Sequence, residues 1–303
     1  MDIQSKIILI SGPTASGKSR FAIKLAKKIK GEIINADSMQ IYKELKTLTA
    51  RPSFNEQSNV KHHLYGFISI KKKFSTGQWL KLASKIIYDI KKRKKIPILV
   101  GGTGLYFKAL INGLVKIPKI SMKKRKVITN LQKKLGQTHF YKKLLKIDPK
   151  IRNYINSKDI QRSIRAYEVK LYTKKSISDW HKETKPIFLS TDFVKLYINC
   201  PKELLLNRIK LRVVKMLPYG IKEVKKMRKI KVPKSYSSTK IIGVNEIKYF
   251  LDKKLNSDQT LELMVIKTRQ YAKRQATWAR GQMKDWKKIS ADESNASIKK
   301  LFN

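Results

Sequence analysis

Residues Gly12-Pro13-Thr14-Ala15-Ser16-Gly17-Lys18-Ser19 carry a glycine at each end of a four-residue gap, then Lys and Ser, which is the spacing of a phosphate-binding loop. Gly12 and Gly17 let the backbone curl until successive amides point inward, and Lys18 with the N-terminus of a following helix adds positive potential. This predicts a diphosphate site, with Ser19 placed to hold Mg²⁺. The apolar run Ile7 to Ile10 before the loop and the amphipathic segment through Ile29 after it supply the strand, loop, helix order that the motif requires.

A second set of chemical residues, Asp37-Ser38-Met39-Gln40, follows the next β-rich run. In a parallel α/β sheet it lies at the carboxyl edge beside the phosphate loop, where a carboxylate acts as a base or a magnesium ligand. Asp followed by Ser and a helical pattern is equally good helix N-cap chemistry, and the sequence leaves the two open. The third apolar run, Ile96 to Val100, ends in Gly101-Gly102-Thr103-Gly104, where glycines permit close backbone approach and Thr103 offers a hydroxyl. A phosphate-loop hydrolase would carry an acidic residue at the end of such a strand to hold magnesium and position water. Its absence here weakens a motor or hydrolase reading.

Most of the cations are lysine, yet the arginines gather in a few places: Arg162 and Arg165, Arg208 and Arg212, then Arg269, Arg274 and Arg280. The planar fork of Arg suits phosphate better than the point charge of Lys. Within Leu261 to Arg280, Leu261, Met264, Val265, Thr268, Tyr271, Ala272 and Trp278 fall near one helical face, with Arg269, Lys273 and Arg280 on another, so one helix faces both core and polyanion. An ordinary amphipathic surface helix in a lysine-rich chain has the same pattern. Adjacent His62 and His63 point apart on an extended segment and have no acidic or cysteine partner at ligand spacing, so they are not read as a metal site. No Ser/His/Asp or Cys/His arrangement stands out. Trp180, Trp278 and Trp286 are read as packing residues.

These residues need a scaffold, and the chain supplies it. Short β-rich runs at Ile7 to Ile10, Glu32 to Ile34, Ile96 to Val100 and Phe193 to Ile198, the first three separated by helical patterns, predict a parallel sheet with helical crossovers. Between about Val115 and Thr191 strand signals fade, and Lys123 to Leu135, Phe140 to Lys146 and Ile160 to Tyr172 read as short helices. From Pro201 onward the pattern is helical almost to the end, broken at Pro218, Gly220 and Pro233. The expected fold is therefore α/β: a phosphate-loop core over residues 1–114 and 192–303, carrying a helical insertion over 115–191.

The 303 residues include 70 Lys plus Arg against 21 Asp plus Glu, a net charge of +49 that suits a polyanion such as nucleic acid. Compositional drift toward lysine, spread over solvated faces, would give the same excess. A single cysteine, Cys200, excludes an intrachain disulfide, fits a reducing compartment and reads as a core residue. With no apolar run long enough for a signal peptide or membrane span, a soluble cytoplasmic protein is expected.

In order along residues 10 to 281, GPTASGKS, DSMQIYK (Asp37 to Lys43), TARP (Thr49 to Pro52), the His62-His63 pair, IPILVGGTGLYFKALINGL (Ile96 to Leu114), QRSIRAYEV (Gln161 to Val169) and TRQYAKRQATWAR (Thr268 to Arg280) closely resemble the tRNA dimethylallyltransferase family, in its bacterial form. The resemblance implies transfer of a dimethylallyl group from its diphosphate to the exocyclic amine of the adenosine 3′ of the tRNA anticodon, with pyrophosphate released. It implies that Gly12 to Ser19 grip the diphosphate, that Ser19 carries Mg²⁺, and that Lys18, Thr14 and Arg212 face the departing group. Asp37 becomes the general base and Thr103 shapes the donor side. The adenine must leave its stack, so a channel with Asp37, Ser38, Met39 and Gln40 along its wall is implied. Similarity also sets Arg125, Gln161, Arg162, Ser163, Ile164 and Arg165, with Lys273, Arg274, Gln275 and Arg280, against tRNA.

The implied partners are thus tRNA and dimethylallyl diphosphate, with no membrane, for a monomeric chain. Three places depart from the family pattern. Val244-Asn245 stand where an aromatic and a basic residue are usual, Lys43-Glu44-Leu45 lacks a customary glycine, and Thr47-Leu48-Thr49 replaces Ile-Gly-Thr. The alternative function is a small-molecule or nucleotide kinase, which GPTASGKS alone would support.

Overall fold

Ile7–Ser11 is buried along its whole length, as a strand covered on both faces must be, and forms the strand β1 near the middle of the sheet. The computed structural model describes residues 5–58, 60–233 and 235–291. After β1 come α1 (Lys18–Ile29), β2 (Glu32–Asn35), α2 (Phe54–Ser58), β3 (His62–His63), α3 (Thr76–Lys92), β4 (Pro97–Gly101) and α4 (Gly104–Asn112). Then follow α5 (Met122–Ile147), α6 (Ile160–Thr173), α7 (Ile177–Lys182), β5 (Phe193–Asn199), α8 (Lys202–Arg228), α9 (Val244–Leu251), α10 (Ser257–Gln282) and β6 (Lys287–Ser290).

The strands form one sheet in the order β3-β2-β4-β1-β5-β6, with every neighbouring pair parallel. Helices flank it, as a phosphate-loop α/β core requires. Register decides where the chemistry goes: Ser11 pairs with Gly101 and Asn35 with Val100, so β1, β2 and β4 end level with one another. The three turns that follow them share one edge. On one face Phe21, Leu25 and Ala26 of α1 pack with Ile8, Ile10, Ile33 and Ile98 of the strands. Residues of α8, α9 and α10 form a second core with Ile41, Tyr42 and Leu45.

The chain divides into two compact units, Met1–Ile111 with Phe188–Asn303, and Asn112–Ile187. Within the second, α5 is two helices across a kink at Gly136 (φ 69°, ψ 168°), which separates the two helical runs read there from the sequence. Phe140, Leu144, Ile151, Tyr167 and Val169 form its core.

Some expectations were corrected. The strands β3 and β6 lie in stretches not read as strands. They are edge elements with little apolar content, two histidines in one case and Lys-Lys-Ile-Ser in the other. The helix α8 runs unbroken through Pro218 and Gly220. Pro218 and Val214, whose carbonyl loses its partner, both face solvent, so water can satisfy it. Cys200, expected in the core, is only half-buried, and Arg208 donates to its sulfur at 3.6 Å. No helix among the described residues is long and apolar enough to cross a membrane.

Candidate active site

The loop between β1 and α1 is built to hold its amides in place. Gly17 sits at φ 91° and Ala15 at φ 65°, the left-handed conformations that turn the chain into the helix. A Cβ on Gly12 would stand 2.9 Å from Ser16 Oγ and 3.0 Å from the Ile198 carbonyl, so a side chain there would have to displace strand β5. No side chain caps the N-terminus of α1 and no acid occupies its first turn, which leaves the helix dipole open to an anion.

Three side chains from distant helices, together with the loop's own Lys18, grip this loop. Lys18 Nζ donates to the Pro13 carbonyl at 3.2 Å, Arg208 Nη1 to the Ser16 carbonyl at 3.3 Å, and Arg212 Nη1 to Thr14 Oγ1 at 3.0 Å. From α10, Gln275 accepts from the Thr14 amide at 2.8 Å and donates to the Gly102 carbonyl at 3.0 Å, bridging the loop to the turn after β4. Loss of solvent around Lys18 brings its ammonium down to about 8; Asp37 pulls it up and Arg212 pushes it lower. Burial likewise lowers Arg212, and Asp37 opposes the fall. Ser16 Oγ is buried without a hydrogen-bond partner among the described residues.

Asp37 lies in a turn with no helix after it. Its Oδ1 accepts from the Met39 amide at 2.9 Å, closing an Asx turn, so the helix N-cap reading is set aside. Asn35 holds the turn from below, accepting from the Asp37 amide at 2.8 Å and donating to the carbonyls of Asp37 and Leu64. Thr103 holds it from the side. Its Oγ1 accepts from the Ser38 amide at 2.9 Å and donates to Ser38 Oγ at 3.2 Å, while its own amide donates to the Ala36 carbonyl. Gly101 allows this meeting, since a Cβ there would lie 2.0 Å from the Ala36 oxygen. The Gln40 amide group donates to the carbonyls of Thr49 and Ala50 and is thereby engaged within the fold.

Thr14, Asp37 and Arg212 line one pocket of about 290 Å³ together with Met39, Leu48, Val213, Met216, Met264, Tyr271 and Arg274. Such a size and a mainly apolar wall with a few polar groups suit a small ligand. Burial, then the charge of Asp37, pushes the Tyr271 phenol upward, and Tyr106 responds in the same way, so both phenols stay protonated near neutral pH.

The remaining candidates divide by exposure. Lys273, Arg274 and Arg280 are exposed on α10, with the Arg274 guanidinium 5.8 Å from the centre of the Tyr271 ring. Gln275, grouped with them by resemblance, instead turns inward to the phosphate loop. In the second unit Gln161 and Arg162 are exposed, Arg162 near Asp159 at 3.4 Å, while Arg125 and Arg165 both reach Glu168 at 3.2 Å. Ser163 and Ile164 are buried in that unit; Ser163 Oγ donates to the Asp159 carbonyl, so neither side chain faces outward for a nucleic acid. His62 lies 2.6 Å from the Val60 carbonyl and His63 2.7 Å from Glu32, both within the fold. Trp278 packs on Gly104, where a Cβ would come within 2.2 Å of the ring.

Arg208 and Asn35 are contributors that sequence reasoning did not assign, and Gln275 is one that it grouped with the tRNA-facing residues and that the structure turns to the phosphate loop. Arg208 had a signal, standing one helical turn before Arg212 on the same face.

A family model described as IPP transferase matches residues 40–282, and one described as Isopentenyl transferase matches residues 5–73. The chain is 59% identical over 302 residues to a tRNA dimethylallyltransferase of Pelagibacter ubique, covering 99% of this chain and 96% of that one. It is 42% identical over 294 residues to the protein of the same name from Rickettsia massiliae, covering 96% and 80%. Among solved structures, a tRNA isopentenylpyrophosphate transferase from Bacillus halodurans aligns with TM-score 0.70 at 29% identity over 98% of this chain and 94% of that one. A eukaryotic dimethylallyltransferase described as acting on tRNA aligns with TM-score 0.84 at 30% identity, over 98% and 77%.

Proposed function

The chain belongs to the tRNA dimethylallyltransferase family, and on that premise we propose that it moves a dimethylallyl group from dimethylallyl diphosphate to N6 of the adenosine 3′ of the tRNA anticodon. The observation that carries the reading is the pocket itself, in which a carboxylate at Asp37 shares walls with the phosphate-loop Thr14 and with Arg212. In the proposed reaction N6 attacks the first carbon of the allyl chain. The carbon–oxygen bond breaks, its electron pair leaves on pyrophosphate, and the N6 proton passes to Asp37. Lys18, Arg212 and the uncapped N-terminus of α1 stabilise the charge that gathers on the leaving group. Because Arg208, Arg212 and Gln275 already fix the loop, little reorganisation is needed as that charge develops.

Mg²⁺ fits the residues present. Among the described residues no cluster of three His, Cys, Asp or Glu offers a protein cage, whereas the partly exposed Ser19 hydroxyl at the start of α1 supplies one oxygen. Magnesium is commonly held by few protein oxygens and by the phosphates of its partner. When bound it would neutralise diphosphate charge. We assign tRNA contact to the exposed Lys273, Arg274 and Arg280 of the first unit and to Gln161, Arg162, Arg125 and Arg165 of the second. Backbone charge would set register there, and the walls formed by Asp37 to Gln40 would accept the unstacked base.

Incubation with tRNA, Mg²⁺ and labelled dimethylallyl diphosphate tests the reading: label in tRNA and released pyrophosphate are the expected result. ATP turnover without transfer would instead favour a phosphate-loop kinase.

A further inference from the structure

The pocket is a trough between two helices, and Leu48 stands at its end away from the phosphate loop. Along α8, Arg212, Met216 and Gly220 recur every four residues on one face, and the two turns from first to last span about 12 Å. Along α10 the order is reversed: Gln275 lies at the phosphate loop and Tyr271, Thr268 and Met264 lead away from it. Where both rows end, Leu48 fills a socket walled by Gly220 and Gly243. A Cβ on Gly220 would come within 2.7 Å of Leu48 Cδ2, and so would one on Gly243. The leucine is only 7% exposed, yet it lines the pocket, so its inner side forms the wall and its outer side occupies the socket. Glu223 pins it there from α8, accepting from the Thr47 amide at 2.6 Å and from the Leu48 amide at 3.1 Å.

We infer that Leu48 sets how long an isoprenoid chain the pocket accepts, an inference that rests on reading the pocket as the donor site. On that reading the diphosphate lies at the end lined by Thr14 and Arg212, and an allylic tail runs along the trough toward Met216 and Met264. The side chain of leucine is nearly as large as one isoprene unit. Removing it opens glycine-walled space directly in line with the tail, and that space is shaped for a donor one unit longer.

The test compares transfer to tRNA from dimethylallyl diphosphate and from geranyl diphosphate, with the KM for each donor separated from the KM for tRNA. Leu48→Ala should raise the kcat/KM of the longer donor relative to the shorter by roughly 10- to 100-fold, the range that small volume changes in an apolar pocket command. Leu48→Val removes one methylene with far less disturbance of folding and should move the ratio the same way by less. Adding Gly220→Ala to Leu48→Ala returns one of the three carbons removed to the socket and should bring the ratio part of the way back toward wild type. A ratio unmoved in the valine variant overturns the inference, whatever the alanine variant does. So does a change confined to the KM for tRNA, which would give this end of the trough to the acceptor. Wild-type enzyme that transfers nothing from dimethylallyl diphosphate would defeat the functional reading itself, a result separate from an unaltered ratio.

Discussion

Arg208 and Arg212 on α8 and Arg274 and Arg280 on α10 are the same side chain used in two environments. The first pair is half-buried and tied to the phosphate loop, to the Ser16 carbonyl and the Thr14 hydroxyl. The second pair is exposed; Arg280 donates to Thr277 on its own helix, and Arg274 lies over the Tyr271 ring. A half-buried guanidinium tied to the loop is screened less and has a fixed direction, which suits charge that appears at one atom during a reaction. An exposed one is mobile and screened, which suits attraction to a long polyanion whose register is set by many weak contacts. On the roles proposed above, catalysis and recruitment are separated by burial and not by residue type.

Variants can sharpen this contrast, beginning where the effect should be largest. Asp37→Asn keeps the shape of the turn and removes the base. We expect single-turnover transfer to fall about 10²- to 10⁴-fold, the usual contribution of a general base, while calorimetric donor affinity stays close to wild type. If donor affinity collapses as well, Asp37 belongs to the diphosphate cradle. Arg212→Ala should lower turnover by about 10²- to 10³-fold, and the deficit should be the same at low and high salt. A deficit that shrinks with salt would move Arg212 into the outer class.

The pH dependence offers a smaller effect of definite sign. Lys18 is brought down to about 8 by loss of solvent, so in the empty site it is a cation below that pH and neutral above it. Donor affinity should therefore weaken as pH rises through about 8, and Lys18→Arg, always charged, should abolish the fall between pH 7 and 9. A flat wild-type profile would remove Lys18 from the anion site. The smallest change is expected for Arg274→Ala with Arg280→Ala, where the salt slope of tRNA binding should drop by about 0.7 to 0.9 for each phosphate that is no longer neutralised. An unchanged slope would take α10 out of the interface.

Much of this arrangement was legible in the chain because it depends on local chemistry. Gly12 to Ser19 between an apolar run and an amphipathic helix fixes a loop whatever the rest of the molecule does, and the central strands are apolar enough to declare themselves. The edge strands were not, since His62-His63 and Lys287 to Ser290 owe their extended form to neighbours in the sheet. Gln275 was hidden by its company among basic residues, and only the meeting of α10 with the phosphate loop turns it inward. The choice between base and helix cap at Asp37 was undecidable locally, because Asx turns and N-caps use the same side-chain acceptor. Ser163 and Ile164 show the opposite case: adjacency in a motif groups them with outward arginines, and helical periodicity turns their side chains inside.

The missing side chain at Gly101 has a consequence for how such enzymes decay. A single methyl placed there would drive a wedge between two neighbouring chain reversals and swing the carboxylate off target, although the aspartate codon would be intact. A lineage could thus fall silent through a lesion in a different strand, and a survey that scored only the acid, the lysine and the arginines would still count that gene as active.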